Sequence, residues 1–263
     1  MRVVSWNLLW RFAPDWRTRE RGIVETLTRL RPDVVGLQEV WVGRDSSQAE
    51  LLGRRLGMAH AVATPSLPPV PDPLESPDQE GMDVGVAVLS RWAIAHVRTI
   101  RLPATHRYEP AALLATIDHP TGLLHVVVTC VEWEPEFADD QLAQMHALAD
   151  LVSDPTVDGV LPVLLAADLN AGPDTPQLSI LTEVIEDTWV AGGGDPDAVT
   201  LSSEVPFAPL AATQQIDRRI DYVLAKPGRE SESLRVDRAF IDGRPVDGLY
   251  PSDHFAVVVD LPL

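Results

Sequence analysis

Short apolar runs alternate with segments of helical spacing along the whole chain, and this alternation restricts the possible folds more than any other feature. Strand-length apolar runs separated by amphipathic helices are typical of α/β proteins. The pattern predicts helices at 18–32, 47–57 and 139–154. It predicts strands at 1–9, 33–41, 84–90, 113–119, 123–133, 160–170, 218–226 and 253–261.

The connections between these strands indicate how the strands pair. Only the turn sequence Pro-Thr-Gly separates the strands at 113–119 and 123–133, which predicts an antiparallel hairpin. Antiparallel pairs favour a mixed sheet or two packed sheets over a purely parallel sheet. The segment 64–81 contains six prolines and is predicted to be a long surface loop. Since no repeat or composition shift marks a linker, we expect residues 1–263 to form one domain.

The charge of the chain bears on its partners. The sequence has 21 Lys and Arg against 39 Asp and Glu, which gives a formal net charge of −18. Proteins that bind long nucleic acids usually present a basic stripe. The densest basic stretch, 17–22, is predicted to be the polar start of a helix. The charge therefore disfavours duplex DNA as a partner, whereas clustered carboxylates remain compatible with a divalent cation.

The cellular setting can be predicted from the cysteine content and the hydropathy. No apolar run reaches the roughly 18 residues that a transmembrane helix needs. The N-terminal segment lacks the small-residue cleavage site of a secretory signal. The single cysteine, Cys130, cannot form an internal disulfide. We therefore expect a cytoplasmic protein, and the sequence leaves its oligomeric state open.

Polar side chains recur at the ends of the predicted strands. Because strand ends at one rim of a sheet converge, these residues are expected to form one site. Several carboxylates and amides, together with a histidine, provide the groups that metal-assisted hydrolysis of a phosphate ester requires. The candidate residues are Asn7, Glu39, Asp168, Asn170, Asp221, Asp253 and His254.

The order of these motifs resembles the exonuclease–endonuclease–phosphatase superfamily, whose fold is DNase I-like. The shared motifs are "WN", "LQE", "ADLN", "RIDY" and "SDH", and "VGVAVLSRWAI" at 84–94 is also similar. The resemblance extends over essentially the whole chain. It implies a four-layered α/β sandwich, in which two packed mixed β-sheets are flanked by helices. It also implies a site for Mg²⁺ or Mn²⁺ at one rim of the sheets.

The resemblance also implies roles for individual residues. Asn7 and Glu39 would bind the metal ion, and Asp253 would lie beside it. Asp168 would orient or activate the water nucleophile, assisted by Asn170. His254 would contact the scissile phosphate, and Asp221 would hold His254 in its working tautomer. The sequence does not decide whether Asp168 or His254 is the formal base.

Cys130 is the main departure from the family pattern. Many family members have a phosphate-contacting histidine where this chain has Cys130, within "VTCVEW". Cys130 is expected to be either a small buried apolar residue or, alternatively, a redox or nucleophilic group. Two further departures are Val86, where an asparagine is common, and Ala167, where a glycine is usual. Cys130 and Trp133 are also candidates for the wall of a substrate pocket.

Three functions remain open. The first is a metal-dependent phosphoesterase that hydrolyses a phosphomonoester or phosphodiester of a small or lipid-like substrate. The second is a nuclease of the same fold acting on DNA or RNA, which the acidic charge disfavours. The third is a catalytically weakened member that binds a ligand, suggested by Cys130 and Val86 but disfavoured by retention of the other motif residues.

Overall fold

The computed structural model describes residues 1–13, 15–231 and 233–263, which form twelve strands and five α-helices. The strands are β1 (Arg2–Asn7), β2 (Val34–Val42), β3 (Ala59–Ala63), β4 (Asp83–Ser90), β5 (Ile94–Arg101), β6 (Ala111–His119), β7 (Gly122–Cys130), β8 (Val163–Asp168), β9 (Glu186–Asp187), β10 (Asp221–Lys226), β11 (Arg238–Asp242) and β12 (Ala256–Asp260). The helices are α1 (Trp16–Leu30), α2 (Gln48–Leu56), α3 (Ala138–Ser153), α4 (Pro176–Thr182) and α5 (Thr188–Ala191).

The strands form two six-stranded mixed sheets. The first sheet has the order β11-β12-β1-β2-β4-β3, and the second has the order β5-β6-β7-β8-β10-β9. β1 pairs in parallel with β2, and β7 pairs in parallel with β8. The other neighbouring strands are antiparallel, including the predicted β6–β7 hairpin, in which His119 pairs with Gly122.

The two sheets pack face to face through a core of branched aliphatic side chains. The strands of the first sheet contribute residues such as Val3, Val34 and Val88, and the second contributes residues such as Val126 and Val128. The sheets approach closely where β2 crosses β8. A side chain at Gly36 would collide with the Cβ of Ala166, so glycine is needed at this crossing.

Helices cover the outer faces of both sheets. Ile23 and Leu27 of α1 and Leu52 of α2 are buried against the outer face of the first sheet. Met145 and Leu148 of α3, with residues of α4, are buried against the second sheet. Two sheets between two helical layers confirm the four-layered α/β sandwich. No helix in the described ranges is both long enough and apolar enough to span a bilayer.

Edge elements account for most of what the sequence pattern missed. β5 is almost entirely exposed, and β3 is a short strand at the edge of the first sheet. Such strands bury little side-chain surface and so lack an apolar run. Several predicted strands were also too long. For example, the prediction at 160–170 extends beyond Asp168, where β8 ends and the chain turns into the site. Segment 64–81 contains only the 3-10 turn Pro77–Gln79 as regular structure, as expected for a loop.

Candidate active site

The polar residues that the sequence places at strand ends come together at one rim of the two sheets. Asn7 ends β1 and is in register with Gln38 of β2, next to Glu39. In the second sheet, Asp168 pairs with Cys130 on one side and with Asp221 on the other. The turn before β12 brings the 253–254 pair to the same place, since β12 pairs with β1.

Asn7 joins the two sheets at the centre of the site. Its Nδ2 donates to Glu39 Oε1 at 2.7 Å and to Asp168 Oδ2 at 2.9 Å. Its Oδ1 accepts a hydrogen bond from the backbone N–H of Leu9 at 2.9 Å, which fixes the orientation of the amide. Asn7 is fully buried, so it holds the carboxylates of Glu39 and Asp168 next to each other.

An irregular stretch of β2 places Glu39. The β2–β4 pairing shifts register between Leu37 and Val40, and Glu39 has a φ of 52°, in the left-handed region. A bulge of this kind re-aims side chains next to active sites. Gln38 points between the sheets and donates to the Ala166 carbonyl oxygen at 3.1 Å. Glu39 instead lines the cavity described below, and its buried Oε2 has no hydrogen-bond partner among the described residues.

His254 and Asp221 form a buried pair. His254 Nδ1 lies 2.8 Å from Asp221 Oδ2, and Asp221 is fully buried. A carboxylate at this distance favours hydrogen on Nδ1, which leaves Nε2 for another partner. Burial alone lowers the pKa of His254, but the charges of Asp221 and Asp253 outweigh it and raise that pKa well above its usual range.

The Ser252–His254 turn is tied to the end of β1. Ser252 Oγ donates to the Asn7 carbonyl oxygen at 2.7 Å and accepts from the His254 N–H at 3.2 Å. The Nε1 of Trp6 donates to the His254 carbonyl oxygen at 2.9 Å. These bonds place the Asp253 carboxylate beside the Glu39 side of the site.

Burial, with crowding at Glu39 and Asp168, raises the pKa values of the carboxyl groups. Burial raises the pKa of Glu39 to about 8, with a further contribution from the charge of Asp253. Burial and the charge of Asp221 raise the pKa of Asp168 to about 7. Burial also raises the pKa of Asp253. A divalent cation would offset this repulsion, because it supplies positive charge where the carboxylates meet.

The donor set fits a metal ion. Carboxylate oxygens are the preferred ligands of Mg²⁺, and the partnerless Oε2 of Glu39 is a buried acceptor of that kind. Ligand atoms of Asp168, Asp221 and His254 also lie within 4.8 Å of one another and form a second group able to hold an ion.

Cys130 and Asn170 lie on the Asp168 side of the site. Asn170 Nδ2 donates to the Val131 carbonyl oxygen at 3.0 Å, and its backbone N–H donates to Asp168 Oδ1 at 3.1 Å. Cys130 Sγ lies 3.9 Å from Asp168 Oδ2. Burial and the nearby carboxylates raise the pKa of Cys130 well above its usual range. The thiol is therefore protonated, which favours a packing role over a nucleophilic one.

A cavity of about 400 Å³ opens above these residues. Its floor carries polar side chains of the site, and its walls are almost entirely apolar. Trp133, predicted as a pocket residue, lines it. The lining consists of Leu9, Phe12, Ala13, Glu39, Pro68, Cys130, Trp133, Asp168, Asn170, Leu201, Phe207, Pro209, Ala212, Gln215, Asp253 and His254.

Arg19 supports the site and was missed as a functional residue from the sequence. Its guanidinium is buried and donates to the carbonyl oxygens of Leu8, Leu9, Trp10 and Pro251 at 2.9–3.1 Å. These bonds join the segment after β1 to the segment before the 252–254 turn. A signal was present, since Arg19 lies four residues before Ile23, on the apolar face of α1.

Comparison with solved structures supports the fold. An endonuclease/exonuclease/phosphatase family protein from Leptotrichia buccalis is 14% identical to this chain, with 100% of both chains covered and a TM-score of 0.75. One from Beutenbergia cavernae is 25% identical, with 100% of this chain and 71% of that chain covered and a TM-score of 0.74. D. rerio TDP2, complexed with single strand DNA product, is 17% identical, with 98% of this chain and 97% of that chain covered and a TM-score of 0.74.

Sequence comparison gives the family itself. No curated protein matches the sequence. The profile of the Endonuclease/Exonuclease/phosphatase family, whose members are generally hydrolases, matches residues 4–254. This match includes every motif residue from Asn7 to His254 and agrees with the two-sheet architecture and the acidic cluster at its rim. The chain therefore belongs to the endonuclease/exonuclease/phosphatase family.

Proposed function

We propose that this chain is a Mg²⁺- or Mn²⁺-dependent phosphoesterase that acts on a small or lipid-like substrate. One observation carries the proposal: a buried cluster of carboxyl groups and a histidine forms the floor of a cavity large enough for a small ligand. Perturbed titratable groups that converge in such a cavity are typical of catalytic sites.

Glu39 and Asp253 would hold the metal ion, and Asn7 would keep Glu39 in place. The partnerless oxygen of Glu39 and the repulsion between Glu39 and Asp253 support this assignment. When bound, a divalent cation supplies positive charge that neutralises phosphate oxygens and the leaving oxygen. The Asn7 amide oxygen accepts from Leu9, so we assign Asn7 mainly a positioning role, with one lone pair left for the ion.

Asp168 would orient the attacking water and accept its proton. A pKa of about 7 suits a group that exchanges a proton near neutral pH. Asn170 keeps Asp168 Oδ1 in position through its backbone N–H. His254, held by Asp221, would contact a phosphoryl oxygen through Nε2 and stabilise the charge that develops there.

The surroundings of the site favour a small or lipid-like substrate. The net charge is −18, and no lysine or arginine lines the cavity within the described part of the chain. Neutralising a run of phosphates requires several basic side chains. An apolar wall accommodates the organic part of a small ester instead.

A nuclease activity is the second candidate. Its support is the similarity to D. rerio TDP2, whose structure contains a single strand DNA product. Aromatic side chains such as Trp133 and Phe207 in the cavity wall could stack on bases of a single strand. The lack of basic lining residues favours the phosphoesterase over this candidate.

A panel of phosphomonoesters, phosphodiesters and single-stranded oligonucleotides, assayed with Mg²⁺ and with Mn²⁺, tests the proposal. We expect hydrolysis of at least one small phosphoester that stops when the metal is chelated. Glu39→Gln should abolish it, whereas Val190→Ala, at a side chain 73% exposed, should not. Cleavage of oligonucleotides alone would favour the nuclease. Activity that persists after chelation would overturn the metal-dependent mechanism, and binding without any turnover would indicate a weakened member.

A further inference from the structure

The walls of the cavity come from loops outside the catalytic motifs. Phe12 follows β1, Pro68 lies in the proline-rich segment 64–81, and Phe207 lies in the long connection between α5 and β10. Trp133 follows β7. Each of these side chains contributes apolar atoms to the cavity wall, so a ligand bound on the catalytic floor would be surrounded by apolar side chains.

Hydrogen bonds hold the Trp133 side of this wall in place. Gln215 is almost fully buried, and its Nε2 donates to the Trp133 carbonyl oxygen at 2.9 Å. The backbone N–H of Trp133 donates to Glu132 Oε1 at 2.9 Å. The guanidinium of Arg107 lies 4.8 Å from the centre of the Trp133 ring and 4.6 Å from that of Phe137. The wall is therefore preformed, so a ligand need not order it on binding.

Three arginines near the cavity have side chains that are engaged elsewhere. Arg107 pairs with Glu132 at 3.1 Å and with Glu134 at 2.9 Å, and its side chain is 12% exposed. The guanidinium of Arg19 is occupied by backbone carbonyl oxygens, as described above. Arg11 lies over the rings of Trp16 and Trp41. None of these three lines the cavity, so none would neutralise a second phosphate group there.

The floor of the cavity is itself acidic. Three carboxyl groups, those of Glu39, Asp168 and Asp253, line the cavity together with the imidazole of His254. Asp221 lies buried behind His254 and contacts its Nδ1. Among the described residues, no lysine or arginine lines this cavity, so no basic side chain there would pair with a second negative charge on the phosphate group. A phosphodiester carries one negative charge, whereas a phosphomonoester carries between about 1.5 and 2 at neutral pH. The lack of a basic side chain in the lining therefore favours the diester.

We propose that the substrate is a phosphodiester monoanion in which one ester group is uncharged and apolar and lies against Trp133 and Phe207. This inference rests on the proposed phosphoesterase function. In the reaction, water adds to phosphorus and one P–O ester bond breaks. The proton from water passes to the leaving oxygen, which gives an alcohol or phenol and a phosphomonoester. The product carries more negative charge than the substrate, and no lysine or arginine among the described lining residues would retain it.

The substrate test compares esters that share one leaving group. Bis(p-nitrophenyl) phosphate, methyl p-nitrophenyl phosphate and p-nitrophenyl phosphate differ in apolar area and charge. We expect kcat/KM to be highest for the first, and lower by roughly tenfold for the methyl diester, which lacks the second ring. We expect the monoester to be the poorest of the three. Equal or better turnover of the monoester would overturn the inference.

Variants of the wall test the placement of the apolar group. Phe207→Ala and Trp133→Ala should each raise KM for the bis-aryl diester roughly tenfold and change the methyl diester less. Leu210→Ala is the matched control, because Leu210 lies in the same connection as Phe207 but is 64% exposed and does not line the cavity.

A charge variant tests the preference for the diester. Ala212→Arg places a cation in the lining and should lower the ratio of kcat/KM for the diester to that for the monoester roughly fivefold or more. Melting temperatures verify that each variant is folded. Equal effects of the wall variants on both diesters would overturn the placement.

A binding measurement separates this inference from the proposed function. Calorimetry with Mg²⁺ present compares diphenyl phosphate with phenyl phosphate, and we expect the diester to bind roughly tenfold more tightly. Selective binding of the diester without hydrolysis of any ester would overturn the phosphoesterase function and keep the recognition of apolar diesters. Hydrolysis without a preference for diesters would overturn only the recognition.

Discussion

Asn7 Nδ2 lies 2.7 Å from Glu39 Oε1, and this hydrogen bond joins the ends of two parallel strands. It holds one oxygen of the Glu39 carboxylate and leaves the other, Oε2, buried without a partner in the described part of the chain. An unpaired buried carboxylate oxygen is costly unless a ligand satisfies it. The pairing therefore explains both where a cation would bind and why the site is unfavourable without one.

Glu39→Gln tests the metal ligand. The substitution removes the charge and keeps a side chain of nearly the same shape, so we expect metal-dependent hydrolysis to be lost while the fold is retained. Activity measured against Mg²⁺ concentration, together with calorimetric titration of Mg²⁺, shows the effect. Glu136→Gln, at an exposed position in a 3-10 turn, is the control. Unchanged activity at limiting Mg²⁺ would show that Glu39 is not a ligand.

Without metal, the stability of the protein should fall as the pH rises. The pKa of Glu39 is raised from 4.5 to about 8, and that of Asp168 from 3.8 to about 7. The folded state therefore binds more protons than the unfolded state between these values. The stabilisation is fully present below the unfolded pKa values and is lost as the pH rises through the folded ones.

Melting temperatures in chelator, measured from pH 5 to 8, test this dependence. We expect Tm to fall by several degrees for the wild type and to fall less for Glu39→Gln, which lacks one of the titrating groups. Saturating Mg²⁺ should also flatten the profile, since bound metal favours the ionised carboxylates. Identical slopes for the two proteins in chelator would contradict the assignment to Glu39.

Arg19→Met tests the support of the site by α1. The variant leaves several backbone carbonyl oxygens buried without a donor, and we expect a loss of at least about 2 kcal/mol, or roughly 4–8 °C in Tm. Arg17→Met is the matched control, because Arg17 lies on the same helix, is 67% exposed and forms an ion pair with Asp78. If both variants melted like the wild type, Arg19 would have no structural role.

The sequence predicted the central strands well, because these follow from local patterns. The candidate site residues lie together at one rim of the sheets, but that they form a catalytic site stays a prediction. Apolar runs such as that of β8 are buried on both faces, and each predicted site residue follows or begins such a run. The assigned roles of these residues remain predictions. Exposed strands such as β5 could not be recognised, since their side chains are neither apolar nor alternating.

The cavity wall could not be predicted for a different reason. Phe207 and Gln215 lie in a connection without regular structure, and tertiary contacts place them beside Trp133. Arg19 falls in a stretch that looked like a solvated helix start, yet its side chain is turned inward to backbone carbonyl oxygens. Helical spacing places Arg19 on the apolar face of α1, but the sequence pattern does not show which distant carbonyl oxygens it contacts.

Duplex DNA should bind weakly. The net charge is −18, and no basic side chain among the described residues lines the cavity, so we expect dissociation constants no lower than the ~10⁻⁴–10⁻⁶ M of non-specific contacts at physiological salt. A gel-shift titration with a plain duplex at about 0.15 M salt measures this. Nanomolar binding under these conditions would overturn the preference for a small substrate.

Cys130 and His254 should contribute very differently to turnover. Cys130 Sγ lies 3.9 Å from Asp168 Oδ2, but its thiol is buried and neutral, and a neutral thiol stabilises developing charge poorly. His254 is held by Asp221 and, in the proposed mechanism, would carry the phosphate contact alone. We expect His254→Ala to lower kcat by roughly 10²-fold or more and Cys130→Ala to change it little. Cys130→His should raise phosphodiesterase activity, since it restores a donor at the cavity floor. Measuring kcat of all three variants on the best phosphoester tests these contributions. If Cys130→Ala were as damaging as His254→Ala, the thiol would take part in the chemistry and this assignment of the site would be wrong.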